Sequence, residues 1–220
     1  MKNKLTITLI LLAAVNLILS VIYIIRLPET VPTHFDAHGI CDGMGSKGGY
    51  LILGFLPLLF AAIVPLGMKF AKNAERNRKV IAVTASALCV FFIAFNWFML
   101  TVVAGSGAQI GDALPPAFAW PLLIGMTALF TVLGNYIPLA QPNRTIGIRL
   151  PWTLNNDTCW KLTHRFTGRL LVFGGTVTLA AVTVMMLLKA PAIAGIITVT
   201  VFISAVTVGS SVYAYQHRNG

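Results

Sequence analysis

The run VIAVTASALCVFFIAFNWFMLTVV, Val80 to Val103, is 24 residues long and carries no charged side chain. At ~1.5 Å of rise per residue it makes a helix longer than the ~30 Å hydrocarbon core of a bilayer. Five more runs have this character, so the predicted spans are 5–25, 51–70, 80–103, 117–139, 168–188 and 192–214. None alternates in the manner of a barrel strand, and inside a bilayer only helices and closed barrels satisfy the backbone. The composition agrees: 57% hydrophobic and 10% charged residues, with a mean hydropathy of +0.82. A soluble domain carries about 25% charge. The fold class expected is an all-α membrane protein of six transmembrane helices.

The formal net charge of +10 finds its explanation in where the cations fall. With the amino terminus inside, the inner segments hold Lys2, Lys4, Lys69, Lys72, Arg76, Arg78, Lys79, Arg144, Arg149, Lys161, Arg165, Arg169 and Arg218. The outer segments hold Arg26, Lys47 and Lys189. This asymmetry is the positive-inside pattern, which puts both termini in the cytoplasm and removes the need for a nucleic-acid partner. Anionic lipid is the general partner such cations imply. The first span follows Lys2 and Lys4 but ends at IIRLPET without a small-residue cleavage pattern, so it reads as a retained signal-anchor. Cys41 falls outside, Cys89 within a span and Cys159 inside, so no disulfide framework is expected.

All six acidic residues, Glu29, Asp36, Asp42, Glu75, Asp112 and Asp157, lie in connectors. Ion-coupled transporters keep ionisable groups at membrane depth, and here only Asn16, Asn96, Asn135 and several threonines are offered. Those read as interhelical hydrogen-bonding groups. Gly174, Gly175, Gly195 and Gly209 are expected to allow close helix approach, and Pro57, Pro65, Pro121 and Pro138 to bend spans two and four. The chain divides into 1–70 (two spans and a patterned outer loop at 26–50), 71–139 (two spans) and 140–220 (an inner connector and two spans). The 104–116 connector reads as a Gly/Pro loop with little chemistry. RLPET with THF outside (26–35) and RLPWT with THRF inside (149–166) hint at a 3+3 inverted repeat.

The outer connector, LPETVPTHFDAHGICDGMGSKGGY, begins extended at Pro28 and Pro32 and ends in turns at its glycines. His34, Asp36 and His38 have two-residue spacing, which on a continuous strand puts them on one face, as a metal site needs. No fourth ligand is evident, and solvated polar groups or a recognition loop fit the same residues.

In the inner connector, NRTIGIRLPWTLNNDTCWKLTHRFTGR (Asn143–Arg169), Pro151 breaks the chain and Asn156 or Asp157 caps a helix that enters span five. Lys161, Arg165 and Arg169 then form one stripe, and Trp160, His164 and Gly168 a neighbouring one. Trp152 and Trp160 are expected at the membrane–water boundary. Two readings stay open: an interfacial anchor for anionic headgroups, or a docking surface or inner gate.

This connector resembles the signature of the SdpI family of bacterial immunity proteins, in Gly147, Arg149, Pro151, Trp152, Thr153, Trp160, His164, Arg165, Gly168 and Arg169. The outer loop is similar to the domain of unknown function at the front of that family, in His34, Phe35, Gly39, Asp42 and Gly43, with Asp36 where the pattern has Asn. The resemblance implies a multi-pass protein of the bacterial plasma membrane, with no enzymatic activity and no cofactor. It would protect the cell from a secreted peptide toxin and, in the founding system, hold a cytoplasmic transcriptional repressor at the membrane. A small transporter of a peptide or amphiphile is the alternative. A metal-dependent membrane enzyme built on His34, Asp36 and His38 is a weaker one.

Overall fold

Residues 2–36, 38–70, 74–114, 118–143 and 146–219 are described by the computed structural model, apart from the side chains of residues 2, 3 and 70. Lys72, Arg144 and the side chain of Lys2, counted above among the inner cations, lie outside this set. Six helical segments are long and apolar enough to cross a membrane: Lys4–Ile25, Lys47–Lys69, Ala74–Ser106, Ala119–Leu139, Asp157–Leu187 and Ala192–Gln216. Their outward faces carry large apolar side chains such as Leu11, Ile18, Val201 and Val208, each about 60% exposed, as a lipid-facing surface must.

Helix α1 (Lys2–Ile25) buries Leu9, Ala13, Asn16, Ser20 and Ile24, one stripe at three- and four-residue spacing. It packs on α2 (Leu51–Phe70), which in turn packs on α3 (Ala74–Phe98). Their common core is built largely from small residues, Ala13, Ala61, Ala85 and Cys89 with Leu9 and Val64. Within lipid it is close approach, rather than hydrophobic burial, that holds helices together. About two turns further along the same helices sits a polar cluster: Asn16 Nδ2 donates to Gly54 O at 3.1 Å, and Asn96 Nδ2 donates to Ser20 Oγ at 2.8 Å. Asn16 and Asn96 are thus interhelical groups, whereas Asn135 is exposed on α4 (Ala119–Tyr136).

The second half consists of α4, a short helix α5 (Pro151–Leu154), α6 (Asp157–Arg169), α7 (Gly175–Leu187) and α8 (Ala192–Gln216). A π-helical turn, Leu170–Gly174, joins α6 to α7 without a break. It meets α4 where a Cβ on Gly134 would come within 2.3 Å of the Leu171 side chain. The expected close approaches occur at Gly174 and Gly175, where a Cβ would be 3.0 Å from Phe202 and 2.3 Å from Thr131, and at Gly195, 2.4 Å from Trp120. Gly209 has only ordinary contacts. Pro121 falls in the first turn of α4, where no hydrogen bond is lost, and Pro138 lies in the 3₁₀ turn Ile137–Leu139 that ends it. Helices α3 and α4 join the two halves.

One element departs from the all-helical expectation. The outer connector forms an antiparallel hairpin of β1 (Thr30–Phe35) and β2 (Cys41–Ser46). Apart from that addition the fold class stands. The connectors that share the RLP motif fold differently, one as this hairpin and the other around α5 and α6.

Candidate functional site

The hairpin pairs Thr30 with Ser46, Val31 with Gly45, Pro32 with Met44, His34 with Gly43 and Phe35 with Cys41, with irregularities around His34. Its base is tied to the spans. Lys47 Nζ donates to the carbonyl of Leu27 at 2.9 Å and lies 3.1 Å from Glu29, near the carboxyl end of α1. A cation is favoured at that end of a helix. Tyr50 Oη donates to Pro32 O at 2.5 Å.

Beyond Phe35 the strand ends. Asp36 Oδ1 accepts from His38 N at 2.8 Å and Ile40 N at 2.9 Å, closing a turn around Gly39, whose φ is +80°. The donation from Ile40 N–H, with smaller help from His38, holds the Asp36 carboxyl below its ordinary pKa. An asparagine Oδ1 would accept the same two bonds, so Asp for Asn keeps the turn. This turn also undoes the shared face of His34, Asp36 and His38. Their two-residue spacing requires a continuous strand, and the strand stops between the first and the second. Among the described residues no three His, Cys, Asp or Glu side chains gather as a metal group.

What the hairpin does bring together is His34 and Asp42, Nδ1 to Oδ1 at 2.5 Å, with side chains 71% and 49% exposed. Gly43 opposite permits it, because a Cβ there would meet the His34 Cβ at 2.9 Å. The hairpin is braced against the 104–114 segment: Cys41 N donates to Asp112 O, Gly111 N to Cys41 O and Leu114 N to Gly39 O, at 2.8–3.0 Å. A connector read as having little chemistry therefore supplies backbone pairing to β2. Gly39 packs on Phe118, where a Cβ would clash at 2.9 Å, and Phe35 is 6.1 Å from the same ring. Beside this contact lies a cleft of about 290 Å³, lined by Asp36, His38, Leu114, Phe118 and, from the second half, Pro191 and Ile193.

The inner connector packs inward. Asn156 caps α6, accepting from Thr158 N and Cys159 N at 2.9 Å each. The stripe of Trp160, His164 and Gly168 is buried, with Trp160 and His164 both 0% exposed. Trp160 Nε1 donates to Ala140 O at 2.7 Å, and its ring stacks on His164 at 4.1 Å. The expectation of Trp160 at the membrane–water boundary is therefore corrected, because Ala140, Ile146 and Gly147 cover it. His164 Nδ1 donates to Trp160 O at 2.8 Å, and Nε2 accepts from Ile148 N at 3.0 Å. A carbonyl on one nitrogen and an N–H on the other fix the neutral imidazole.

Gly147, with φ +117°, lies directly on this pair; a Cβ there would sit 2.3 Å from His164 Nε2. Thr153 accepts from Leu150 N at 2.9 Å and donates to Ile148 O at 2.7 Å, closing the turn that Pro151 starts. Gly168 admits Pro138, which a Cβ would meet at 2.4 Å. Trp152 is half-buried, edge-on to Tyr215. Lys161, Arg165 and Arg169 remain exposed as the neighbouring stripe of α6, and Arg149 is exposed beside α5.

Two organising residues escaped the sequence reading. Asn77 of α3 is 1% exposed and clamps Gln141, accepting from its N at 2.8 Å and donating to its O at 3.3 Å. Asn143 folds the next turn, accepting from Ile146 N at 2.7 Å. For Asn77 a signal exists: it shares a helical face with Val80, Ile81 and Ala85, so it is a polar residue on an apolar stripe.

Two family models match the chain. Residues 140–214 match the SdpI/YfhL protein family and residues 11–60 a domain of unknown function, DUF1648. The chain is also similar to the protein named Immunity protein SdpI of Bacillus subtilis (strain 168), at 25% identity over 174 residues, 76% of this chain and 75% of that protein. No solved structure matches. From front to back the chain thus carries a DUF1648 region that includes the outer hairpin and an SdpI/YfhL family region that includes the inner connector, the family its two motifs resemble.

Proposed function

We propose that this chain is an integral membrane immunity protein that gives resistance to a secreted peptide toxin, which it engages through the outer hairpin. The observation that carries this reading is the hairpin itself. It is braced by backbone bonds to the 104–114 segment, yet it leaves the His34–Asp42 pair largely in solvent. A rigid support under an exposed polar pair suits recognition, because little ordering cost remains at binding. The name of the B. subtilis relative supplies the class of partner.

The inner stripe of Lys161, Arg165 and Arg169 is the surface we assign to a cytoplasmic transcriptional repressor, with both termini on the same side. The motif residues on the buried stripe serve packing. Coupling outer to inner engagement requires two states that the toxin binds with different affinity.

Survival of toxin-sensitive bacteria challenged with the peptide tests the proposal, with membrane abundance matched across variants. Wild type is expected to protect. His34→Ala and Asp42→Ala are expected to raise the toxin's effect at least tenfold, equivalent to about 1.4 kcal/mol of recognition. The double variant Lys161→Gln/Arg165→Gln should still protect while losing toxin-dependent recruitment of the repressor. An abundant wild type that gives no protection would overturn the immunity reading; full protection by both hairpin variants would remove the hairpin from it.

A further inference from the structure

The inner end of the first half holds a cleft of about 810 Å³ between the start of α1 (Leu5, Ile7), the end of α2 (Val64, Met68) and the first turns of α3. Helix α3 contributes Arg76, Arg78 and Lys79 to its lining, with Glu75 as its one carboxylate. The cleft continues into a second groove of about 610 Å³ between α3 and α4, and Leu5 and Ala82 line both. That second groove is almost wholly apolar, and small side chains shape it: Ala82, Ser86 and Ala87 from α3, Gly125 and Ala128 from α4.

This junction between the halves is where the two helices leave space instead of filling it. From Ala82 to Ala94 the groove runs twelve residues along α3, about 18 Å at the helical rise. That length is close to the depth of one leaflet, half of the ~30 Å core. Lys79 stands at its mouth, with Nζ 5.5 Å from the Tyr136 ring of α4 and so held across the opening.

We propose that this continuous cleft and groove bind one anionic phospholipid, with the phosphate at Arg76, Arg78 and Lys79 and an acyl chain between α3 and α4. Charge complementarity selects the occupant. An apolar channel of leaflet depth takes an acyl chain from any lipid, but three cations around one carboxylate favour a headgroup with net negative charge. The generic attraction of inner cations for anionic lipid thereby becomes a defined site, independent of the stripe on α6.

Native mass spectrometry of the full-length protein titrated with phosphatidylglycerol or phosphatidylcholine tests this, with thermal unfolding confirming that each variant is folded. Wild type is expected to retain phosphatidylglycerol at least tenfold more tightly than phosphatidylcholine. The double variant Arg76→Gln/Lys79→Gln should lose that preference. Ala87→Leu, which fills the groove, should weaken retention of both lipids. Lys161→Gln/Arg165→Gln, which removes as much charge from α6, should change neither. Equal retention of the two lipids by wild type would overturn the proposal. So would an equal loss of preference in the α6 variant, since attraction would then follow overall charge. Preferential occupation of the groove by a hydrophobic peptide with a free carboxylate, without phosphatidylglycerol preference, would overturn it as well.

Discussion

Gly147 shows how one backbone angle can hold a buried polar pair. Its φ of +117° is open to glycine and costly for other residues, and the space where a Cβ would stand is taken by His164 Nε2. The same nitrogen accepts from Ile148 N–H, so any shift of the chain at residue 147 pulls on the bond that fixes the imidazole. Gly147→Ala is therefore expected to destabilise the inner connector by about 2–4 kcal/mol, from backbone strain and overpacking together. Thermal unfolding in detergent would read this as a clear loss of stability, and a variant as stable as wild type would contradict the packing. Asp36 illustrates the opposite case, a residue whose change of type is silent because the one oxygen that matters is retained.

The hairpin is the element on which the proposed outer recognition rests, and its turn rests on Asp36. The carboxylate is held below its ordinary pKa by backbone N–H donors, chiefly that of Ile40. A carboxyl whose folded pKa is depressed contributes stability above its unfolded pKa and loses it as pH falls through the folded one. The turn is thus expected to loosen in acid, below the ordinary carboxylate range near 3.8. Hydrogen exchange at the Ile40 and Gly39 amides measures it: Asp36→Asn should keep near-wild-type protection and lose the acid dependence. Asp36→Ala should speed exchange at neutral pH. Helix α6 divides in the same way between two stripes four residues in period, one fully buried and one exposed. Its cations are exposed, while its tryptophan and histidine are covered by Ala140, Gly147 and Ile148.

At the scale of the whole molecule, three connectors gather at one end, and two connectors with the chain end at the other. The hairpin, the 104–114 segment and Pro191 meet on one side. Asn77 with Gln141, and Asn156 with Arg218, join the start of α3, the inner connector and the chain end on the opposite side. Contacts thus sort the connectors into two groups, and the cation bias is the ground for the direction we propose. On the topology we propose, with both termini inside, a cysteine placed at Lys189 should react with a membrane-impermeant maleimide applied to intact cells. One placed at Arg218 should react only after lysis. The reverse pattern would invert the topology. The native cysteines Cys41, Cys89 and Cys159 are all buried, which keeps the background low.

The six spans were legible in the sequence because a hydrocarbon core imposes length and apolarity on any chain that crosses it, whatever packs beside it. The start of α6 was legible too, since Pro151 and Asn156 act on their own neighbours through φ restriction and capping, whereas the pairing of the outer connector into a hairpin was not. Which stripe of α6 is buried was beyond that reach. Trp160, His164 and Gly168 look the same as an interfacial stripe until Ala140, Gly147 and Ile148 are laid against them, and those contacts span up to 20 residues. Likewise His34, Asp36 and His38 share a face only on an unbroken strand, and it is the bonds from His38 and Ile40 to Asp36 that break it. The pairing of Cys41 with Gly111 and Asp112, and of Asn77 with Gln141, joins residues more than 60 apart in the chain. Local chemistry set the elements. The tertiary structure alone decided which polar faces remain exposed for a partner, because burial depends on what arrives from elsewhere in the chain.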